Sequence, residues 1–211
     1  MSATRLLVLG VVRSYGQAHG YQVRRELLSW GAEFWANVAP GSIYHALKKL
    51  TKDRYLTEVG NEEGGAGPER VVYALTEDGE TEFQQLLTKA LSASRYDAED
   101  TFASITFMTA LTRAHVIGLL TYRLRSMENS LSNATDSLNS SADMGKPAHV
   151  RELFRHWQYS ADAEVRWTKE LIKRLEAGEY VMADDSPDHF GRPGPVEGPP
   201  PMSRPDGLAS R

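Results

Sequence analysis

The stretch Ala39-Pro40-Gly41-Ser42-Ile43-Tyr44-His45-Ala46-Leu47-Lys48-Lys49-Leu50-Thr51-Lys52-Asp53-Arg54-Tyr55-Leu56-Thr57-Glu58-Val59 decides how this chain is read. Pro40 suits a first helical position, where its missing N–H would have had no partner, so the stretch predicts a helix from Pro40 to about Asp53. Ile43, Ala46, Leu47 and Leu50 recur at i, i+3, i+4 and i+7 and form the stripe that must be buried. Ser42, Tyr44, His45, Lys48, Lys49 and Lys52 occupy the opposite face. Beyond Tyr55 the apolar period falls from 3.6 to 2. Leu56 to Gly60 and Arg70 to Leu75 then flank a glycine-rich stretch, Asn61 to Pro68, which predicts a β-hairpin.

Upstream, Thr4 to Tyr15 is a compact apolar block suited to a buried first helix, and Gly16 to Gly20 reads as a turn. A second helix fits Tyr21 to Trp30, with Val23, Leu27 and Trp30 inward and Arg24, Arg25 and Glu26 toward water. The loop after it contains Gly31 and ends at Pro40. Downstream, Thr76 is a good N-cap, and Glu77 and Asp78 complement the dipole of a fourth helix striped by Phe83, Leu86, Leu87 and Leu91. Three helices, a hairpin and a further helix within residues 1–95 make a winged helix-turn-helix arrangement. It holds one amphipathic helix where a DNA major groove roughly 12 Å wide can receive it.

Charge is unevenly placed. The 211-residue chain has 24 basic and 28 acidic residues, a net of −4. Yet residues 1–54 hold eight basic against three acidic groups, a net of +5, and residues 55–95 hold three against eight, a net of −5. A basic segment within an acidic chain suggests a local footprint for an anion.

After a polar junction the chain becomes helical again. Leu120, Leu124, Met127, Leu131, Ala134 and Leu138 step by 4 and 3, and Asn139 to Pro147 reads as a turn. Phe154, Trp157, Ala161, Glu164, Thr168, Leu171 and Leu175 then repeat the stepping. Two long helices joined by a short loop predict an antiparallel hairpin over 96–180, with more apolar stripe than one neighbour covers. The surplus predicts burial against a second subunit, hence a homodimer. From Ala183 onward lie seven of the ten prolines, so residues 181–211 are expected to be a disordered tail.

Several function classes are excluded or lack support. Without cysteine there is neither a disulfide, nor a thiolate metal site, nor a cysteine nucleophile. The six histidines are scattered, with no HExxH pattern, and no GxGxxG, Walker or GxSxG motif is present, so no catalytic residue, metal site or cofactor is assigned. Gly64-Gly65-Ala66-Gly67 lacks the Gly-Lys-Ser/Thr of a phosphate loop and fits a wing tip. No apolar run of about 18 residues exists to span a bilayer, and the expected location is the cytoplasm.

His19-Gly20-Tyr21 in the second helix, Pro40-Gly41-Ser42-Ile43-Tyr44-His45-Ala46-Leu47-Lys48-Lys49-Leu50 and Tyr73-Ala74-Leu75-Thr76-Glu77-Asp78-Gly79 carry a resemblance to the PadR-like transcriptional regulators. Order and spacing agree over about 80 residues. The helical remainder is similar to the branch of that family with a two-helix C-terminal extension, through which that branch dimerises. The resemblance implies a homodimeric, sequence-specific DNA-binding repressor, not an enzyme, released from an inverted-repeat operator by a small-molecule effector or another signal. Two departures stand out. Ala39 cannot cap as the family's Ser or Asp does, leaving Asn37 or Ser42 to compensate. The turn usually written Glu-x-Gly-Leu is here Asp53-Arg54-Tyr55-Leu56.

The candidate DNA-binding residues are Ser42, Tyr44, His45, Lys48 and Lys49 on the third helix and Arg70 on the wing. Ser42 and Tyr44 suit phosphate or sugar, while His45 and the lysines suit base edges or backbone. The bland alternative is a solvated helix face. Arg70 can instead pair with Glu62, Glu63 or Glu69. Trp30 and Trp35, with Phe34, suit either a core or an aromatic effector site, and Trp157 either inter-helix packing or a cavity. The competing reading of the whole is a winged-helix module that binds protein without DNA; such a module would show an apolar third-helix face.

Overall fold

The computed structural model describes residues 3–62, 70–93, 97–141 and 147–190. It is mainly helical with one small antiparallel sheet: α1 (Ala3–Tyr15), β1 (Gln17–His19), α2 (Gly20–Ser29), α3 (Ala32–Trp35), α4 (Pro40–Lys52), β2 (Leu56–Glu62), β3 (Arg70–Leu75), α5 (Glu77–Ser92), α6 (Ala98–Phe107), α7 (Arg113–Ser140) and α8 (Arg151–Glu176). The chain divides into two compact units. One holds residues up to Leu87 together with α6, and the other holds 88–97 and 108–190.

In the first unit α1 is apolar nearly all round, and Leu6 to Val12 are all buried, as expected of a helix at the centre of a small core. The strand order is β1-β3-β2, with β2 and β3 forming the expected hairpin and a register shift between Glu58 and Gly60. Residues 63–69, which include the expected glycine wing tip, lie outside the described residues. β1 departs from the expected Gly16–Gly20 turn: Gln17 to His19 pair with Ala74 to Val72. Three residues are too few to show a period of 2, so only the partner strand reveals them. The loop before Pro40 likewise contains one helical turn, α3.

Two further features were not expected. Glu26 does not face water: it is buried on α2 and accepts the Tyr15 hydroxyl at 2.9 Å. The polar junction expected after Ser92 leads into α6, which belongs to the first unit. There Gly10 lets α1 and α6 touch, since a Cβ at Gly10 would lie 2.3 Å from the Phe107 ring. Phe107 in turn meets Trp30 and Phe83 edge-on at 5.9 and 5.8 Å.

In the second unit the pairs Met127–Thr168, Thr135–Gln158 and Ser141–Arg151 run in opposite directions along α7 and α8, so the helices are antiparallel. Arg123, 1 % exposed, occupies one buried position of α7, between Leu120 and Met127. Of the expected seam, Leu120, Met127 and Ala134 are buried while Leu124, Leu131 and Leu138 are only half-buried. Gly178, at φ 75°, closes α8. Within the tail expected from 181, Met182 is buried and its amide donates to the Asp185 carboxylate at 2.8 Å. Residues 191–211 of that tail lie outside the described residues.

Candidate nucleic-acid interface

α4 builds the site. Ile43, Leu47 and Leu50 are buried against the first unit's core, so the helix cannot rotate without exposing them. That anchoring turns Tyr44, His45, Lys48, Lys49 and Lys52 outward, all of them exposed, with Ser42 half-buried. The helix is about 20 Å long at 1.5 Å per residue, enough to lie along several base pairs.

Neither expected substitute caps its N-terminus. Ala39 contributes no side-chain bond, Asn37 stands in a left-handed turn at φ 49°, and the Ser42 hydroxyl donates to the Ala39 carbonyl at 2.7 Å. The C-terminus closes by a Schellman pattern: the Tyr55 amide donates to the Leu50 carbonyl at 2.9 Å and the Arg54 amide to Thr51 at 3.0 Å. The left-handed position is Arg54, at φ 65°, one residue before the position where the family pattern has glycine.

Tyr44, 43 % exposed, owes its placement to Gly20: a Cβ there would approach the Tyr44 ring at 3.1 Å. Tyr73 of β3 lies buried at the wing root. Its phenol is raised above its ordinary value first by burial, then by Glu58 across the strand pair and by Tyr44. Arg70 opens β3 opposite Glu62, and its side chain lies outside the described part.

The +5 of residues 1–54 is not all available to a ligand. Arg5 pairs with Glu82 at 3.0 Å and Arg13 with Glu80 at 2.9 Å, both carboxylates on α5. Arg5 also covers the Tyr55 ring at 4.7 Å, and Arg13 covers Phe83. Lys48, Lys49 and Lys52 make no ion pair among the described residues. Of the six basic residues that remain in 1–54, three lie on α4, Arg24 and Arg25 on α2 and Arg54 just past the end of α4.

The aromatic candidates separate. Trp30 and Trp35 share an open cavity of about 400 Å³ with Phe102, Ile105 and Thr106 of α6. Trp35 donates its indole N–H to the Trp30 carbonyl at 2.8 Å and meets Phe102 edge-on. Sequence reasoning missed Phe102 because nothing local shows that α6 returns to the first unit. Trp157 lies elsewhere, on α8 of the second unit, 49 % exposed beside Ser130, Asn133 and Ala134.

Three packed helices, a three-stranded antiparallel sheet and one helix with an anchored apolar face and an exposed cationic face define a winged helix-turn-helix domain. Residues 8–85 match the transcriptional regulator PadR-like family, a family of transcriptional regulators and not of enzymes. Among solved structures the chain is similar to Bacillus subtilis PadR in complex with operator DNA, at 21 % identity, covering 81 % of this chain and 98 % of that one, with a TM-score of 0.38. It is also similar to smu.1604c from Streptococcus mutans UA159, at 20 % identity, 83 % and 97 % coverage and a TM-score of 0.36. A third is Bacillus subtilis PadR in complex with p-coumaric acid, at 18 % identity, 82 % and 96 % coverage and a TM-score of 0.35. Comparison with curated proteins gave no match. Among the described residues no helix is long and apolar enough to cross a membrane.

Proposed function

We propose that this chain is a homodimeric, sequence-specific DNA-binding repressor that responds to a small molecule and recognises an inverted repeat in double-stranded DNA. One observation carries the DNA reading: the outward face of α4 presents Tyr44, His45, Lys48, Lys49 and Lys52 to solvent while its inner face is locked into the core. Lysines there neutralise phosphates or donate to guanine O6 and N7, His45 reaches base edges, and Ser42 and Tyr44 meet phosphate or sugar. Arg70 approaches the backbone from the wing. The protein-docking alternative would place apolar groups on this face, and it has amines instead. Dimerisation is supported by Tyr122, Leu153, Trp157 and Tyr159, all exposed on the α7–α8 hairpin. Two such domains would set their α4 helices about 34 Å apart, one helical turn of DNA. The Trp30, Trp35 and Phe102 cavity suits a planar apolar effector; Trp157, half-exposed on α8, serves the subunit contact in this reading.

The test is a salt titration of operator binding, with the operator selected from genomic fragments. Lys48→Ala or Lys49→Ala is expected to weaken binding and to flatten the slope of log affinity on log salt by about one for each lost phosphate contact. Unchanged affinity and slope in both variants would remove the α4 face from the interface.

A further inference from the structure

Behind the DNA-facing ridge of α4 lies a second feature that DNA recognition does not use. α1, α4 and α5 leave between them a cavity of about 390 Å³, more enclosed than the tryptophan cavity. Its floor is apolar: Ala46 and Leu50 of α4 and Leu86 of α5. Its rim is cationic. Lys49 and His45 stand at one side, and Arg5 at the other is already neutralised by Glu82 at 3.0 Å. Because Arg5 and Glu82 cancel, the uncompensated charge at the rim is that of Lys49, which has no ion-pair partner among the described residues. An apolar floor under one unpaired amine complements a molecule that is apolar at one end and anionic at the other. The volume falls in the range of small-ligand pockets. A nucleic acid supplies no apolar body for this floor, and a neutral apolar ligand would leave the amine unanswered.

We propose that this cavity binds a small anionic amphiphile, a monocarboxylate with an apolar body of medium length, and that its binding competes directly with DNA. Competition follows because Lys49, His45 and Ser42 line the cavity and also belong to the proposed DNA face. The carboxylate neutralises Lys49 and occupies its side of the ridge, so carboxylate and phosphate exclude each other, each weakening the other by the same factor. This inference rests on the DNA reading above for its regulatory consequence, though not for the binding itself.

The full chain is titrated with octanoate by calorimetry without DNA, and its operator affinity is then measured by fluorescence anisotropy with and without octanoate. Acetate at equal concentration controls for ionic strength and octanol for charge. Wild-type protein should bind octanoate and lose roughly tenfold in operator affinity, with little effect from acetate or octanol. Leu86→Trp and Thr4→Trp fill the cavity from two different helices and touch no proposed DNA contact. Each should abolish octanoate binding and octanoate's effect while keeping the octanoate-free operator affinity. Should neither fold, Lys49→Gln should weaken octanoate binding roughly fivefold, an ordinary size for one lost charge contact. Octanoate binding that survives all three substitutions, or that leaves operator affinity untouched, overturns the proposal. If wild-type protein binds no DNA, the functional reading fails alone, and calorimetry on the variants still decides whether the cavity holds the amphiphile.

Discussion

The Tyr15 hydroxyl donates to Glu26 at 2.9 Å, and burial, reinforced by that carboxylate, pushes the phenol up to about 12 from its ordinary 10. The neutral phenol is therefore favoured in the folded chain. Its stabilising contribution is complete below about pH 10 and is lost as pH rises toward 12. Urea unfolding at a series of alkaline pH values should show stability falling across that window, and Tyr15→Phe should flatten the fall. A profile identical in the variant would show that other groups cause it. The carboxylate's position also explains the misreading of Glu26. Helical spacing placed it beside Arg24 and Arg25, whereas the Tyr15 hydroxyl, on a different helix, makes its burial tolerable.

At the scale of elements, Thr76 and Gly79 show why a short motif is needed where α5 begins. The Thr76 hydroxyl accepts from the Gly79 amide at 3.0 Å, capping the helix, and donates to the Arg54 carbonyl at 2.7 Å. The first turn of α5 is thereby pressed against the chain leaving α4. A Cβ at Gly79 would lie 2.0 Å from the Tyr55 carbonyl oxygen, a backbone atom already engaged by the Thr76 amide. Gly79→Ala is expected to cost about 2 to 3 kcal/mol in chemical denaturation, and to weaken operator binding because α4 and the wing meet at this turn. A cost below about 0.5 kcal/mol, the ordinary size for a surface change, would mean the turn relaxes freely. In the second unit, Arg123 and Glu164 lie 3.3 Å apart across α7 and α8. Burial raises Glu164 above the usual carboxylate range, and Arg123 draws it back down. An ion pair in a mainly apolar seam, beside Leu120, Met127, Val165 and Leu171, favours one register of the two helices over others.

For the whole molecule, the exposed Tyr122, Leu153, Trp157 and Tyr159 of the α7–α8 hairpin are the surface on which the proposed dimer rests. Leu124 and Leu131 are half-buried within one chain, so replacing both with Glu need not unfold the α7–α8 seam, yet charges any subunit contact along that stripe. Light scattering should then report the mass of one chain for the variant and of two for the wild type; an unchanged mass would place the contact elsewhere. Much of the arrangement was legible beforehand. The apolar block of α1, the amphipathic α4, the hairpin and the two long helices each bury a face through their own periodicity. β1, α3 and the return of α6 were not legible, because β1 and α3 are too short to show a period and α6 takes its place from Gly10 and Phe107, far apart in sequence.

The sequence by itself determined the winged-helix order, the family motifs and the division of α4 into an apolar and a cationic face, since all three follow from spacing within one element. Only the tertiary structure decided where the charge goes and where cavities open. Arg5 and Arg13 count as basic in any sequence tally, but α5 brings Glu82 and Glu80 to them, so they add nothing to the charge of the α4 face. The aromatic cavity takes Trp30 and Trp35 but needs Phe102 from α6, and the amphiphile cavity needs α1, α4 and α5 together. Ion pairs and cavities are made between elements, and the periodicity of a single segment carries no record of its neighbours.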